Sequence, residues 1–312
     1  METRVDNMTT APPRMYSDPE EEKLLALFER KPASQLQAEI DNVLDKDPSW
    51  PLRIHLSPQR ELLLNWFPFK KDASLLEIGA GGGSLTGLFL SKCKEVTAVE
   101  LSPVRSEILR RRYADASHLE VNSSDIAKYD TSKRYDYITL IGVLEYAGAF
   151  FEGGNEAYTE ESFHGLLSKC RSLLKPDGAL ILAIENQWGL KYLTGCLEDH
   201  YNTLFESMNN YPHYNGTRTF GKQHLRKVLE NASFTGELDW YFPFPDYKFP
   251  DQVLSEEWLS QPNFTLSSMF PSPGGNHSRQ HYFNEVLSAA SLRENNLLPD
   301  FANSFLVIAH AS

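Results

Sequence analysis

Ser74-Leu75-Leu76-Glu77-Ile78-Gly79-Ala80-Gly81-Gly82-Gly83-Ser84 is the stretch on which the reading of this chain turns. Residues 74–80 carry the dense apolar pattern of a buried strand. Residues 85–92 carry a helical pattern. Glycines between them let the backbone turn tightly and let a ligand approach the main chain. Such a loop alone is weak evidence, because several nucleoside-containing ligands are held this way.

Four neighbouring features narrow the ligand. Glu100 ends the next apolar run, residues 95–101, at the spacing where a carboxylate can accept bonds from both ribose hydroxyls. Position 84 is Ser, so the third glycine of a dinucleotide loop is absent. Glu77 stands two residues before the first glycine, where dinucleotide folds usually carry an apolar residue. A carboxylate there suits the cationic methionine end of S-adenosylmethionine (SAM), which also has no pyrophosphate to place on a helix N-terminus. Asp125 follows a third short strand, where it can bond an adenine amino group or merely cap a turn.

Working outward, strands and helices alternate. Residues 102–113 read as a helix capped by Ser102 with Pro103 at its first position. Residues 119–121 and 135–142 read as strands, 162–174 as a helix stopped by Pro176-Asp177-Gly178, and 179–184 as a strand. Residues 222–231 return to helix, and Leu238–Phe244 and Ser304–His310 read as a closing strand pair. This alternation argues for a parallel sheet covered on both faces. The expected fold is α/β and Rossmann-like: a seven-stranded, mostly parallel sheet with an antiparallel last strand.

Residues 1–20 are polar and read as disordered. Residues 21–70 form an N-terminal helical extension in which Pro48 and Pro51 break a helix, and Ser57-Pro58 opens another. Residues 71–312 form the main domain, with insertions at 187–218 and 245–302 read as an acceptor lid.

The motif set resembles class I SAM-dependent methyltransferases. Glu77 through Gly83 matches the first motif, Glu100 the second and Ser124-Asp125 the third. Tyr135-Asp136-Tyr137 through Gly142-Val143-Leu144-Glu145 matches the fourth, and Leu174 through Gly178 the entry to the fifth strand. The resemblance implies SAM as cofactor, held by Glu77, Gly79, Gly81, Gly83, Glu100, Leu101, Asp125, Ile126 and Gly142. A narrower resemblance rests on His55-Leu56-Ser57-Pro58-Gln59-Arg60, Gly189-Leu190-Lys191-Tyr192, Glu198-Asp199-His200, Arg218-Thr219-Phe220, Pro245-Asp246-Tyr247-Lys248 and Asn303-Ser304-Phe305. That subgroup is associated with surface-polysaccharide genes and glycosyltransferase fusions. It implies O-methylation of a sugar hydroxyl on a glycan or its precursor, and a glycosyltransferase partner.

A sugar hydroxyl is a poor nucleophile, so a nearby general base or metal should assist. Glu145, after the fourth strand, is the first candidate; the alternative is a carboxylate at a helix start. His55, Asp199, His200 and Asp246 are the others. Glu185 and Asn186 end the fifth strand, where they can line the acceptor site, or Asn186 can simply start a turn. Trp188, Tyr192, Tyr211, Tyr241 and Tyr247 offer flat faces to sugar rings, or fill the lid's own core. Asp199, His200 and Glu145 could hold a metal, but no spacing demands one, and no metal ligand is assigned.

Composition sets the outer limits. The formal net charge of −12 gives no support for nucleic-acid binding. Arg110-Arg111-Arg112 reads as a solvated helix face. Three scattered cysteines make neither a disulfide framework nor a zinc site, and Cys93 and Cys170 read as buried thiols. No stretch has the apolar length of a membrane span or of a signal peptide, so the expected location is cytoplasmic. Other readings stay open: a small-molecule or amine methyltransferase, a non-catalytic SAM-fold module that binds a partner, and an NAD-dependent oxidoreductase, which Ser84 and Glu77 disfavour.

Overall fold

The eight strands, in chain order, are β1 (Ser74–Ile78), β2 (Glu95–Glu100), β3 (Leu119–Ser123), β4 (Tyr135–Ile141), β5 (Leu174–Glu185), β6 (Leu238–Phe244), β7 (Gln252–Ser255) and β8 (Ser304–His310). They form one sheet in the order β3-β2-β1-β4-β5-β8-β6-β7. This computed structural model describes residues 20–150, 160–214, 216–259, 261 and 282–312. The expectations for residues 1–19 and for much of 245–302 fall outside the described residues.

β1 to β5 run parallel, and β8 inserts antiparallel between β5 and β6. The expected Rossmann-like α/β sheet with its antiparallel end is therefore present. β7 adds an eighth, edge strand from within the segment read as lid. It was hidden because only four residues, all half-buried, make it up, too few for an alternation to register.

Successive side chains of each strand face opposite layers. Leu76, Leu140, Leu182 and Val307 pack toward the helices Glu160–Leu173 and Lys222–Asn231. Leu75, Ile181, Leu306 and Ile308 face a second core containing Leu63, Leu64, Phe69 and Phe89. The N-terminal helices form a third cluster, in which Leu24, Phe28, Ile40, Leu52 and Leu56 dock on Ile108.

Three expectations need correction. Pro51 does not break a helix; it sits in the first turn of Trp50–Leu56, where its missing N–H costs nothing. The helix stops at Leu173, but the fifth strand starts at Leu174 rather than at Ala179. Leu174 already pairs with Tyr135 and the next pair is Ala179 with Tyr137, so the intervening residues bulge from β5. Arg112 is not solvated. It is buried, and its Nη1 donates to the carbonyls of His55 (2.6 Å) and Gly82 (2.8 Å). The N-terminal extension is thereby tied to the glycine loop.

Strand order reverses between β1 and β4, since β2 and β3 lie on one side and β5 on the other. A crevice opens beyond the carboxyl ends of the strands at such a point. Gly79, Glu100, Gly142 and Glu185 all stand there. No helix among the described residues is long and apolar enough to cross a membrane.

Candidate functional site

Two cavities occupy the crevice. The first, about 460 Å³, runs from the β1 loop past the end of β2 to residues 124–126 after β3. Ile78, Val99, Leu101, Ile126 and Val143 give it apolar walls, the lining expected for a flat aromatic ligand group. Glu100 stands among them. Its Oε2 accepts from Gly81 N and its Oε1 from Ser102 N, each at 2.8 Å. Ser102 also caps the helix Pro103–Arg112 through a bond from Arg105 N, as the sequence suggested. Asp125 Oδ1 accepts from Ala127 N at 2.9 Å, so it caps a turn and lines the cavity at once.

Of the nine residues expected to hold the cofactor, Gly79, Gly81, Glu100, Leu101, Asp125, Ile126 and Gly142 line this cavity. Two do not. Gly83 has φ +81°, and a Cβ there would lie 2.5 Å from Leu109 Cδ1 and 2.7 Å from Tyr113 Cε2. Its glycine is required by close packing on the helix Pro103–Arg112, not by a ligand. Glu77 is buried beneath the loop and accepts from Thr86 Oγ1 at 2.6 Å. Burial pushes its carboxyl up to about 8, and it lines neither cavity.

The second cavity, about 360 Å³, shares Gly79, Gly81, Arg105, Gly142 and Tyr146 with the first. It lies between the glycine loop, the N-terminal extension and the first insertion. Its walls are charged. Gly142 has φ +70°, and a Cβ there would lie 2.7 Å from Tyr247 Oη, so only glycine lets β4 end flush against this wall.

His55, Glu145, Asp199 and His200 line the second cavity together, though they come from distant segments of the chain. Asp246 stands behind it. Lys191, buried, donates to Asp199 (2.6 Å) and Asp246 (2.8 Å), while Tyr192 Oη donates to Asp199 at 2.6 Å. Lys248 Nζ contacts Glu185 Oε1 and lies 4.0 Å from Asp199. Burial opposes charge on Asp199, but Lys191 and Lys248 outweigh it and hold the carboxyl well below the usual range. Burial likewise opposes the charge on Lys191 and Lys248, and the facing carboxylates hold both above the ordinary lysine value.

Glu145 is the exception in this network. It is 1% exposed, its Oε2 has no hydrogen-bond partner among the described residues, and burial, reinforced by the charge of Glu185, pushes its carboxyl up to about 8. Glu185 Oε2 is likewise unpartnered among the described residues. His200 Nδ1 lies 2.8 Å from Glu198 Oε1. Burial opposes its protonation, yet the Glu198 bond and the charge of Glu185 push it up to about 9. Glu145, Glu185 and His200 each bring one ligating atom within 4.8 Å of the others, a set able to hold a metal ion. It contains Glu185 in place of the Asp199 considered from sequence.

The aromatic platform expected for a sugar is not assembled from the named residues. Tyr192 and Tyr211 are buried, with hydroxyls bonded to Asp199 and Thr219. Tyr241 packs on Trp66 and Trp188 lies against Gly221. Tyr247 alone of the five lines the cavity, and Trp50, which the sequence did not single out, lines it too. Asn186 is a structural pin. Its Nδ2 donates to the carbonyls of Asp300 and Ala302. Arg60, Lys191, Glu198 and Lys248 went unassigned in the sequence. For Lys191 and Lys248 the signal was a lysine beside apolar and aromatic neighbours, Gly189-Leu190-Lys191-Tyr192 and Asp246-Tyr247-Lys248-Phe249; Arg60 and Glu198 lie in polar stretches that carry no such signal.

Residues 76–180 match a family described as methyltransferase domain. This segment is thus similar to methyltransferase domains, a likeness that supports S-adenosyl-L-methionine as the cofactor. Among curated relatives, nodulation protein S of Bradyrhizobium diazoefficiens is 29% identical over 122 residues, 38% of this chain and 54% of that protein. Malonyl-[acyl-carrier protein] O-methyltransferase of Priestia megaterium is 26% identical over 166 residues, 53% of this chain and 54% of that protein. The chain thus spans about half the length of these relatives. Among solved structures, N-methyltransferase NodS from Bradyrhizobium japonicum in complex with S-adenosyl-L-homocysteine is similar at 16% identity and TM-score 0.37. The match covers 68% of this chain and 85% of that one.

Proposed function

We propose that the chain transfers the methyl group of SAM to a hydroxyl of a sugar-containing acceptor, a surface glycan or its precursor. The observation that carries this reading is the pair of cavities joined at Gly79, Gly81, Gly142 and Tyr146. The adenosine half of SAM would occupy the first, held by Glu100 at the ribose and Asp125 toward the adenine. The methionyl arm would then cross the glycine loop and present the methyl group to the second cavity. An acceptor hydroxyl there lies against Glu145, which has a free oxygen and a carboxyl poised near neutral pH. Transfer makes a carbon–oxygen bond, breaks the carbon–sulfur bond and gives the hydroxyl proton to Glu145. Most of the acceleration comes from holding the two reactants in line and away from water. Carboxylates and lysines ringing the cavity suit a polyhydroxylated ligand, which needs donors and acceptors on every side. Asp199 and Asp246, locked on Lys191, hold the wall in shape.

A second reading keeps the reaction and changes the nucleophile to an amine. The excess of carboxylates favours it, and the NodS relative named above is an N-methyltransferase. Calorimetric titration with S-adenosylhomocysteine tests the cofactor, and mass spectrometry of nucleotide sugars and glycan fragments incubated with SAM tests the acceptor. One site of micromolar affinity and a methylated hydroxyl are expected. A folded sample that binds no S-adenosylhomocysteine would sink the enzyme reading and bring a partner-binding module forward. Methylation confined to amino sugars would move the assignment to the amine. A cytoplasmic location and a glycosyltransferase partner belong to the same proposal and are tested by fractionation and co-purification.

A further inference from the structure

Two carboxylate oxygens in the second cavity, Glu145 Oε2 and Glu185 Oε2, have no hydrogen-bond partner among the described residues, on side chains 1% and 0% exposed. Native proteins rarely leave such atoms unsatisfied, and a bound ion is one of the few things that satisfies two at once. Glu185 Oε1 is held by Tyr247 and Lys248, so Oε2 is the oxygen it has left to offer.

His200 adds a ligand of another kind. Its Nδ1 lies 2.8 Å from Glu198 Oε1. A carboxylate accepts, so the neutral ring carries its proton on Nδ1 and keeps a free lone pair on Nε2. Glu198 is fixed in turn, because its Oε2 accepts from the backbone N–H groups of His200 and Tyr201, each at 2.8 Å. A carboxylate bonded to one ring nitrogen is the usual support for a histidine that ligates through the other. The three groups stand after β4, at the end of β5 and in the first insertion, yet their ligating atoms lie within 4.8 Å of one another. Bonds to a tetrahedral cation would draw those atoms in to roughly 3.4 Å.

Charge points the same way. Around the cavity Glu198, Asp199 and Asp246 face Lys191, Lys248 and Arg60 in equal number, and Arg105 is paired with Glu21. With His200 neutral, Glu145 and Glu185 are left with two negative charges. An acceptor hydroxyl could satisfy one oxygen but brings no positive charge; a divalent cation satisfies both and cancels both charges.

We propose that Glu145, Glu185 and His200 bind one divalent cation of the zinc class. One nitrogen and two oxygens suit zinc, cobalt or nickel better than magnesium or calcium, which take oxygen ligands. All three ligands line the cavity, so the fourth position opens into it. Glu145 can ligate the cation or take a proton from an acceptor, not both. The base of the function proposed above therefore belongs to the metal-free protein, and occupancy of this site switches it off.

The test is calorimetric titration of the full chain, freed of metal by chelation, with zinc chloride and separately with magnesium chloride. One zinc per chain at a Kd of about 1 μM or tighter is expected, with magnesium about 100-fold weaker or worse. Glu185→Gln and His200→Gln should each weaken zinc binding by about 10- to 100-fold, and Glu198→Gln by about 10-fold. His213→Gln, at the exposed histidine paired with Glu206, should leave it unchanged. Cobalt should give the visible bands of a four- or five-coordinate site in the wild type and lose them in Glu185→Gln. A wild type that binds no zinc, zinc affinity equal in all variants or lost with His213, or magnesium binding as tight as zinc overturns the site. Where the variants fail to fold, a wild type without cobalt bands overturns it as well.

Discussion

Glu145→Gln should make the protein more stable at neutral pH while removing its activity. The Glu145 carboxyl is buried with an oxygen that nothing satisfies, and its carboxyl is pushed up from 4.5 to about 8. The sign follows from proton binding. Between the unfolded value and the folded one, the native state holds a proton that the unfolded chain has lost. Stability is therefore fully present below about 4.5 and declines as pH rises through the folded value. Gln is neutral throughout and shares the side chain's shape. At pH 7 the gap spans about 2.5 pH units, so the variant gains on the order of 3 kcal/mol. In a chain of 312 residues that raises Tm by roughly 5 °C. Melting curves of both proteins from pH 5 to 8.5 measure it, and titrating groups that do not face Glu145 cancel in the difference. The two proteins should converge near pH 5 and separate steadily above it. A variant no more stable than wild type at pH 8, or a gap that does not shrink on acidification, refutes the argument. Turnover should fall by about 10²- to 10⁴-fold, the usual contribution of a general base.

Glu100→Ala should weaken S-adenosylhomocysteine binding by about tenfold or more, the cost of charge-assisted bonds to a buried ligand. An unchanged Kd by calorimetry removes Glu100 from the ribose. Lys191→Met removes the buried cation to which Asp199, exposed, and Asp246, half-buried, are bonded, at a cost of about 1–3 kcal/mol. A Tm unchanged from wild type, against an expected drop of roughly 2–5 °C, would mean that this ion-pair cluster is not holding the insertion in place.

The fold and half of the site were legible in the sequence for different reasons. β1, β4 and β5 are buried on both faces, so they read as unbroken apolar runs. The loop after β1 is written in glycines whose backbone geometry few other residues can adopt. Glu100 and Asp125 were found because strand ends lie at fixed spacings from that loop. The second cavity follows no such spacing. Lys191, Asp199, Asp246 and Lys248 meet only because two insertions fold over the end of β5, and their pairing depends on distances no local pattern encodes. Glu77 misled for the same reason. Its place in the motif suggested a ligand contact, while the bond from Thr86, nine residues on, turns it beneath the loop. The aromatic residues were misread because tyrosine serves equally as a hydrophobic filler and a hydrogen-bond donor. Tyr192 and Tyr211 are doing both.

The raised Glu145 carboxyl bears on the order of events in the reaction. In the free protein a group with a pKa near 8 is about three-quarters protonated at pH 7.5, which is the wrong state for a base. SAM brings its own remedy. A sulfonium within roughly 5 Å, at an effective dielectric of about 20, interacts with a carboxylate by about 3 kcal/mol. On the proposed placement of the cofactor, that would lower the carboxyl by about two pKa units, so Glu145 would ionise as the cofactor binds. Methyl transfer then consumes the sulfonium charge, and the carboxyl regains its proton from the acceptor. One positive and one negative charge vanish together, a change that a buried, water-poor site favours. SAM binding should accordingly release about half a proton or more at pH 7.5, while S-adenosylhomocysteine, a neutral thioether of the same shape, should release almost none. Calorimetry in two buffers of different ionisation enthalpy reads this directly. The apparent binding enthalpy should depend on buffer for SAM, not for S-adenosylhomocysteine, and for neither ligand in Glu145→Gln. Equal buffer dependence for the two ligands would mean that Glu145 does not sense the sulfonium, and the base would have to be sought elsewhere in the cavity.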